Sequence, residues 1–238
     1  MIKLTLYPAA FGEPTASPFC MKALCMLHAT GLPYEVIETA DPRKAPKGKL
    51  PIIEHDGHVI ADSEDIRAHV EAAAGMDFDA GLSDRERAVS RAVIRMAEEH
   101  VYFAILADRW GEDDNWDYVR KAFFNEVPAI IRGLVTRTVR KQALGQLHGQ
   151  GIGRHTPDER FDRVLTDIIA IREILGDKPF LFGDKPSAAD FSVVPMLRAS
   201  IVTPVPKPLS QFITNDPILM AYVTRGTDTF YPQAIKVI

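Results

Sequence analysis

Cysteine is scarce. Cys20 and Cys25 are the two thiols among 238 residues, and they lie too close together in one helical stretch to bridge well. A disulfide framework is excluded and a reducing compartment is expected. A basic excess is also missing: 28 Lys and Arg stand against 32 Asp and Glu, a formal net charge of −4. Nucleic-acid platforms usually show the reverse, so no nucleic-acid partner is expected. No run approaches the ~18 consecutive apolar residues of a membrane span. The opening MIKLTLYPAA lacks the basic start and long apolar stretch of a leader, and reads as a strand. The seven histidines show no metal-ligand spacing. There is no internal repeat and no low-complexity tract. These absences leave a cytoplasmic protein without metal as the expectation.

What is present is ordinary globular composition, 46% hydrophobic and 25% charged, enough for a large core. Ile2, Leu4 and Leu6 alternate as in a strand. PAAFGEPTAS is a Pro/Gly loop. Pro18 suits a first helical position and Ser17 the N-cap before it; the helix runs to about Ala29 and stops at Gly31. YEVIE is a second strand. PIIEHDGHVIAD is a hairpin around Asp56-Gly57, a dipeptide of type I′ turns. SEDIRAHVEAAAG is a helix capped by Ser63 and stopped at Gly75. The order β-α-β, then β-β-α, predicts a four-stranded α/β domain over residues 1–75 with a right-handed crossover. After a linker at about 76–83, residues 84–238 read as all helical. The fold class is therefore α/β followed by all-α.

Several motifs carry two readings each. Pro51 after Leu50 suits a strand start, where no ladder N–H is needed; equally, a cis bond there would turn the Leu50 backbone toward a ligand. Lys49 beside it is a cation able to meet a carboxylate. Asp62 and Ser63 either cap the helix that follows or hold an amino-acid head group, the acid on its ammonium and the helix N–H groups on its carboxylate. Ser187-Ala188-Ala189-Asp190 and Thr156-Pro157-Asp158-Glu159 are capping boxes. GQGIGRH follows a helix, not a strand, and lacks the spacing of a dinucleotide loop; Arg154 and His155 either line a cleft or lie in a solvated loop. In MAEEHVYFAILADRW, Glu98, Tyr102 and Arg109 fall near one side, with Tyr102 the polar-tipped candidate if this helix borders a cleft.

The order of these motifs is specific. Ser17-Pro18-Phe19-Cys20 opens the first helix, Gly-Lys-Leu-Pro precedes a hairpin, Asp62-Ser63 opens the next helix, and a helical region carries Ser-Ala-Ala-Asp. Over nearly its whole length the chain resembles the glutathione S-transferase superfamily. SPFCMK, MAEEHVYFAILADRW, GQGIGRHT and KPFLFGDKPSAADF resemble the branch of the metaxins and failed-axon-connections proteins. The resemblance implies an N-terminal thioredoxin-like domain and a helical C-terminal domain. It implies glutathione as a substrate held by Lys49, Leu50, Pro51, Asp62 and Ser63, with Pro51 as the cis-proline. Ser17, Cys20 or Tyr7 would act on the thiol, and Tyr102, Arg109 and Arg154 would face a hydrophobic electrophile. It also allows a homodimer. Membrane-anchored relatives carry a C-terminal span; the ending YPQAIKVI shows none.

A thiol-redox helix often begins Cys-x-x-Cys, and here the first position is Ser17. A serine cannot form a mixed disulfide with glutathione; it can donate a hydrogen bond to the thiolate, helped by the helix N-terminus. Three functions stay open: conjugation of the thiolate to an electrophile, a non-catalytic binding module of the same fold, and a Cys20-dependent thiol reductase.

Overall fold

The alternation that puts Ile2, Leu4 and Leu6 on one face of β1 (Ile2–Leu6) buries all three. The computed structural model describes residues 1–125 and 127–232. β1 is a central strand. It pairs in parallel with β2 (Tyr34–Glu38), Ile2 opposite Tyr34, and antiparallel with β3 (Ile52–His55), Leu4 opposite Ile53. β4 (His58–Ala61) adds to β3, giving the order β2-β1-β3-β4. Asp56 and Gly57 both take positive φ, 50° and 80°, as a type I′ turn requires.

α1 (Pro18–Thr30) connects the parallel strands. Ser17 caps it by accepting from the Cys20 N–H, and Gly31 ends it at φ 69°. Its middle, Cys20 to Leu27, is buried all round, because α1 lies between the sheet and the helical region. α2 (Ser63–Ala74) begins one residue differently from expectation. Asp62 is the N-cap, at φ 94°, and its carboxylate accepts from the Glu64 N–H at 3.0 Å. Aspartate tolerates a positive φ better than most residues because its short acceptor bonds locally. Ser63 becomes the first helical residue and is buried.

The connection at 76–83 is not a loose tether. Phe78 and Asp79 are buried. Asp79 accepts from Arg67 at 3.0 Å and from the Ala188 N–H at 3.1 Å, so it caps a helix of the second region.

α3 (Asp84–Met96) starts with a box that the sequence reading passed over, Ser83 with Glu86. It runs through a π-helical turn (Ala97–Val101) into α4 (Tyr102–Leu106) and a second π turn (Ala107–Gly111). A π turn widens the ladder from i→i+4 to i→i+5 and so rotates every later side chain. Arg109 turns into the interior, where its charge still acts on the nearby Tyr102 phenol.

α5 (Asp113–Phe124) and α6 (Ala129–Gln150) form an antiparallel excursion. α7 (Pro157–Leu175), α8 (Ala188–Ile201), α9 (Pro208–Asn215) and α10 (Pro217–Phe230) complete the helical region. α7 opens with the expected box, Thr156 and Glu159 each accepting from the other's N–H. Among the described residues no helix is long and apolar enough to cross a membrane. The expectations for the YPQAIKVI ending and for a helical domain reaching 238 concern residues 233–238, outside those described.

At the start of α8 the Asp190 carboxylate is buried and accepts four bonds. They come from the Ser187 N–H and hydroxyl, both at 2.7 Å, the Leu181 N–H at 3.0 Å and the Tyr222 hydroxyl at 2.8 Å. Ser187→Ala removes one donor to a carboxylate that keeps three others, and should cost about 1 kcal/mol. Asp190→Ala strands four buried donors and should cost about 3 kcal/mol or more. Urea unfolding of the two variants checks the order; equal midpoints would contradict this account.

Candidate active site

Three elements of the α/β domain end along one edge: the N-terminus of α1, the start of β3 and the N-terminus of α2. Facing them are α3, α4 and one side of α6, and between lies a cleft of about 440 Å³. Its two ends differ in chemistry.

The polar end is lined by Lys47, Lys49, Leu50, Pro51, Asp62 and Ser63. The Leu50–Pro51 bond is cis. Lys49 is exposed, while Lys47 donates to Asp65 at 2.9 Å. Asp62 and Ser63 sit where the first N–H groups of α2 emerge, a place that attracts anions. Across the cleft from them are Arg95 and Glu99, which the sequence did not single out as binding residues. Arg95 donates to Glu98 at 2.8 Å and to Glu99 at 3.4 Å. The π turn that carries Glu98 and Glu99 to this wall leaves no mark in the periodicity.

The other end is aromatic and apolar. Phe19 packs edge-on against Tyr102 at 4.7 Å, and Tyr102 against Phe103 at 5.3 Å. Leu106 and Trp110 continue the wall, and Val139 and Ala143 of α6 close it. Burial pushes the Tyr102 phenol up to about 12, so it stays protonated at neutral pH. Burial likewise raises the Tyr7 phenol above its usual range.

Ser17 lies on the cleft wall, half-buried, with Tyr7 nearby. Its Oγ accepts from the Cys20 N–H at a long 3.5 Å. The hydroxyl and the α1 N-terminus thus face the cleft together. The cleft therefore offers cations at Lys47 and Lys49, helix N–H groups at the start of α2, and a hydroxyl at Ser17.

Three of the candidates named from sequence are not in the cleft. Cys20 is fully buried, and burial pushes its thiol up to about 11 against weaker lowering by hydrogen bonds from the Tyr7 backbone, Ser17 and Thr15. Arg109 clamps the loop after β1: it donates to the Ala16 carbonyl at 3.1 Å and lies 4.8 Å over the Phe11 ring. It also reaches the Ala199 carbonyl at 2.5 Å and Thr203 at 3.2 Å. Arg154 is exposed and donates to the His148 carbonyl at 3.0 Å. Among the described residues no cluster of His, Cys, Asp and Glu suits a metal ion.

A thioredoxin-like sheet with an X–Pro cis bond at its ligand edge, backed by a helical region that completes the cleft, is the architecture of glutathione-handling proteins. Comparison with known proteins agrees. The profile of the glutathione S-transferase N-terminal domain matches residues 18–116, and that of the glutathione S-transferase C-terminal domain matches 164–226. An isoprene-epoxide–glutathione S-transferase of Rhodococcus sp. (strain AD45) is 32% identical, over 94% of this chain and 97% of that one. Failed axon connections of Drosophila melanogaster is also 32% identical over 92% of this chain, which spans 55% of its length. Metaxin-1 of Mus musculus is 22% identical over 98% of this chain and 76% of its own. Among solved structures, a glutathione S-transferase of Ceriporiopsis subvermispora in complex with glutathione shares the fold, at 19% identity and a TM-score of 0.66. The match covers 100% of this chain and 98% of that one. The chain belongs to the glutathione S-transferase superfamily, in the branch that includes failed axon connections and metaxin-1.

The thiols give a direct test of burial. Both cysteines are raised above the ordinary thiol value, Cys20 to about 11. At pH 8 the folded protein should resist iodoacetamide and react at both after denaturation. Raised folded-state values favour the protonated thiol, so this contribution to stability is complete below the unfolded value of about 8.5 and declines as pH climbs toward 11. Rapid labelling of Cys20 in the native protein would contradict the placement.

Proposed function

We propose that this chain is a glutathione transferase that adds the glutathione thiolate to a small, apolar electrophile of the epoxide type. The observation that carries the reading is the single cleft with a charged end and an aromatic end, meeting at Ser17 and the N-terminus of α1. The Rhodococcus relative, named for isoprene epoxide, supports the electrophile class.

In this reading the Leu50 backbone pairs with the main chain of the tripeptide. Lys49 takes the glycine carboxylate. Ser63 and the free N–H groups of α2 take the γ-glutamyl carboxylate, and Asp62 its ammonium. The cysteine sulfur then lies at Ser17. A free thiol has a pKa near ~8.5, and lowering it by ~2 units takes ~3 kcal/mol. A charge-assisted hydrogen bond from the Ser17 hydroxyl and the α1 dipole supply energies of that order. The thiolate lone pair forms the C–S bond as the ring C–O bond breaks, and the alkoxide released takes up a proton.

Tyr7 is the weaker choice for the thiol, because a phenol raised by burial is a poorer donor to an anion. Cys20 is the weaker choice because it is buried and protonated. The Ser17 bond to the Cys20 N–H favours a second reading, in which Ser17 only caps α1 and the chain binds glutathione without turnover.

Ser17→Ala separates these. The expected result is turnover ~10- to 100-fold lower, the worth of a ~1.4–3 kcal/mol hydrogen bond to a charge. Glutathione affinity should change little, and the pH–rate profile should move upward as the bound thiol recovers a higher pKa. Cys20→Ser should be mild. A Ser17→Ala protein with wild-type rate and profile, beside an inactive Cys20→Ser, would replace the conjugation reading with thiol reduction.

A further inference from the structure

α6 has two faces with different tasks. One face, through Val139, Gln142, Ala143 and Gln146, lines the cleft. The other is solvent-facing and is read from the spacing i, i+4, i+7, i+11, i+14: Ile130, Leu134, Arg137, Lys141 and Leu144. Over about 21 Å of helix these five side chains form one stripe. The apolar members are unusually bare. Ile130 is 98% exposed and Leu134 68%, with Ile131 and Leu144 also open. Surface apolar residues scattered singly need no explanation, but a cluster on one helix does.

The charge on this helix is one-sided. Its 22 residues contain Arg132, Arg137, Arg140 and Lys141 and no acid, in a chain whose net charge is −4. Arg132 and Arg140 are occupied with main-chain carbonyls, Arg140 also with Asp113 at 2.6 Å. Arg137 and Lys141 have no acidic partner among the described residues. Of the acids on the neighbouring α5, Asp113 is held by Arg140, Asp114 by Lys207 and Asp117 by Arg120. The outward cations are therefore available. Residues 117–163, which include all of α6, fall outside both matched family profiles.

The geometry points to the outer face of α6 as a docking surface for an anionic phospholipid bilayer. Protein interfaces deplete charge at their centre. Here Arg137 and Lys141 sit in line between Leu134 and Leu144, a poor centre for a protein partner. At a headgroup boundary the same interleaving is favourable: the isoleucines and leucines enter the acyl edge while the long cations snorkel to lipid phosphates. Arg137, Lys141 and Leu144 also border an open groove of about 550 Å³ against Trp116, Asp117 and Arg120 of α5. Because the opposite side of α6 borders the aromatic end of the cleft, docking would hold that end close to a bilayer, where apolar small molecules concentrate.

The test is co-sedimentation of the full chain with phosphatidylcholine vesicles, with and without phosphatidylserine. Binding is expected to the anionic vesicles, much weaker to the neutral ones, and largely lost at ~0.5 M salt. Ile130→Asp with Leu134→Asp, and separately Arg137→Glu with Lys141→Glu, should each weaken binding by about tenfold or more. Both double variants change exposed side chains, so melting midpoint and glutathione binding should match wild type. Failure to bind anionic vesicles, or equal binding by the variants, would overturn the proposal. So would a concentration-dependent mass that Ile130→Asp with Leu134→Asp abolishes, since a second copy would then occupy the face.

Discussion

A lysine with no exposed surface holds the two halves of this protein together. Lys22, in the middle of α1, is 0% exposed. A buried ammonium is tolerable only when paired and hydrogen-bonded. Its partners are Glu64 of α2 and Glu98 of the first π turn, the latter at 2.6 Å. Glu98 also accepts from Ser192 of α8 at 2.9 Å and from Arg95 at 2.8 Å. Glu64 accepts in addition from Arg91 at 2.7 Å. One charge network therefore ties α1, α2, α3 and α8, and it lies directly beneath the cleft. Removing Lys22 or Glu98 would leave the other buried charge with one partner fewer, which is why α1 and the first π turn are held tightly against each other.

That constraint explains how a shallow edge becomes a defined site. α1 brings Ser17, α2 brings Asp62 and Ser63, and the π turn brings Glu98 and Glu99. Each is held by the same network or by a cap one turn away. The Asp79 carboxylate does the same job at the joint, capping α8 from the segment between the two regions. Cleft-lining residues drawn from several helices keep their mutual spacing only if the helices cannot slide, and a satisfied buried charge network holds them in place.

Polarity along the cleft follows from element ends as much as from side chains. Helix N-termini at Ser17 and Asp62 supply N–H groups and partial positive charge, while the aromatic end is built from α1, α4 and α6. α6 adds the last wall and carries its remaining residues outside, so one helix shapes the cleft and also presents a separate surface.

Much of this was legible in the sequence because it depends on short-range chemistry. Alternating Ile2, Leu4 and Leu6, Asp56-Gly57, Pro18 after Ser17, Gly31, Gly75 and the Thr156 and Ser187 boxes each act within a turn or a strand pair, so their types fix local structure. Ser17, Leu50, Pro51, Asp62 and Ser63, which line the cleft, stood out in the sequence because each stands at an element end, where composition is restricted. What tertiary structure alone decided lies where helices meet. The second π turn carries Arg109 into the interior and out of the cleft, and nothing in an apolar periodicity announces an extra residue in the ladder. Arg154 was an open choice between cleft and solvent until the fold put it outside. Lys22 reads as one cation in an apolar helix; only the approach of Glu64 and Glu98, 42 and 76 residues away, turns it into the charge on which the assembly rests. Sequence chemistry settles what a residue can do within one turn, and long-range packing settles which charges meet.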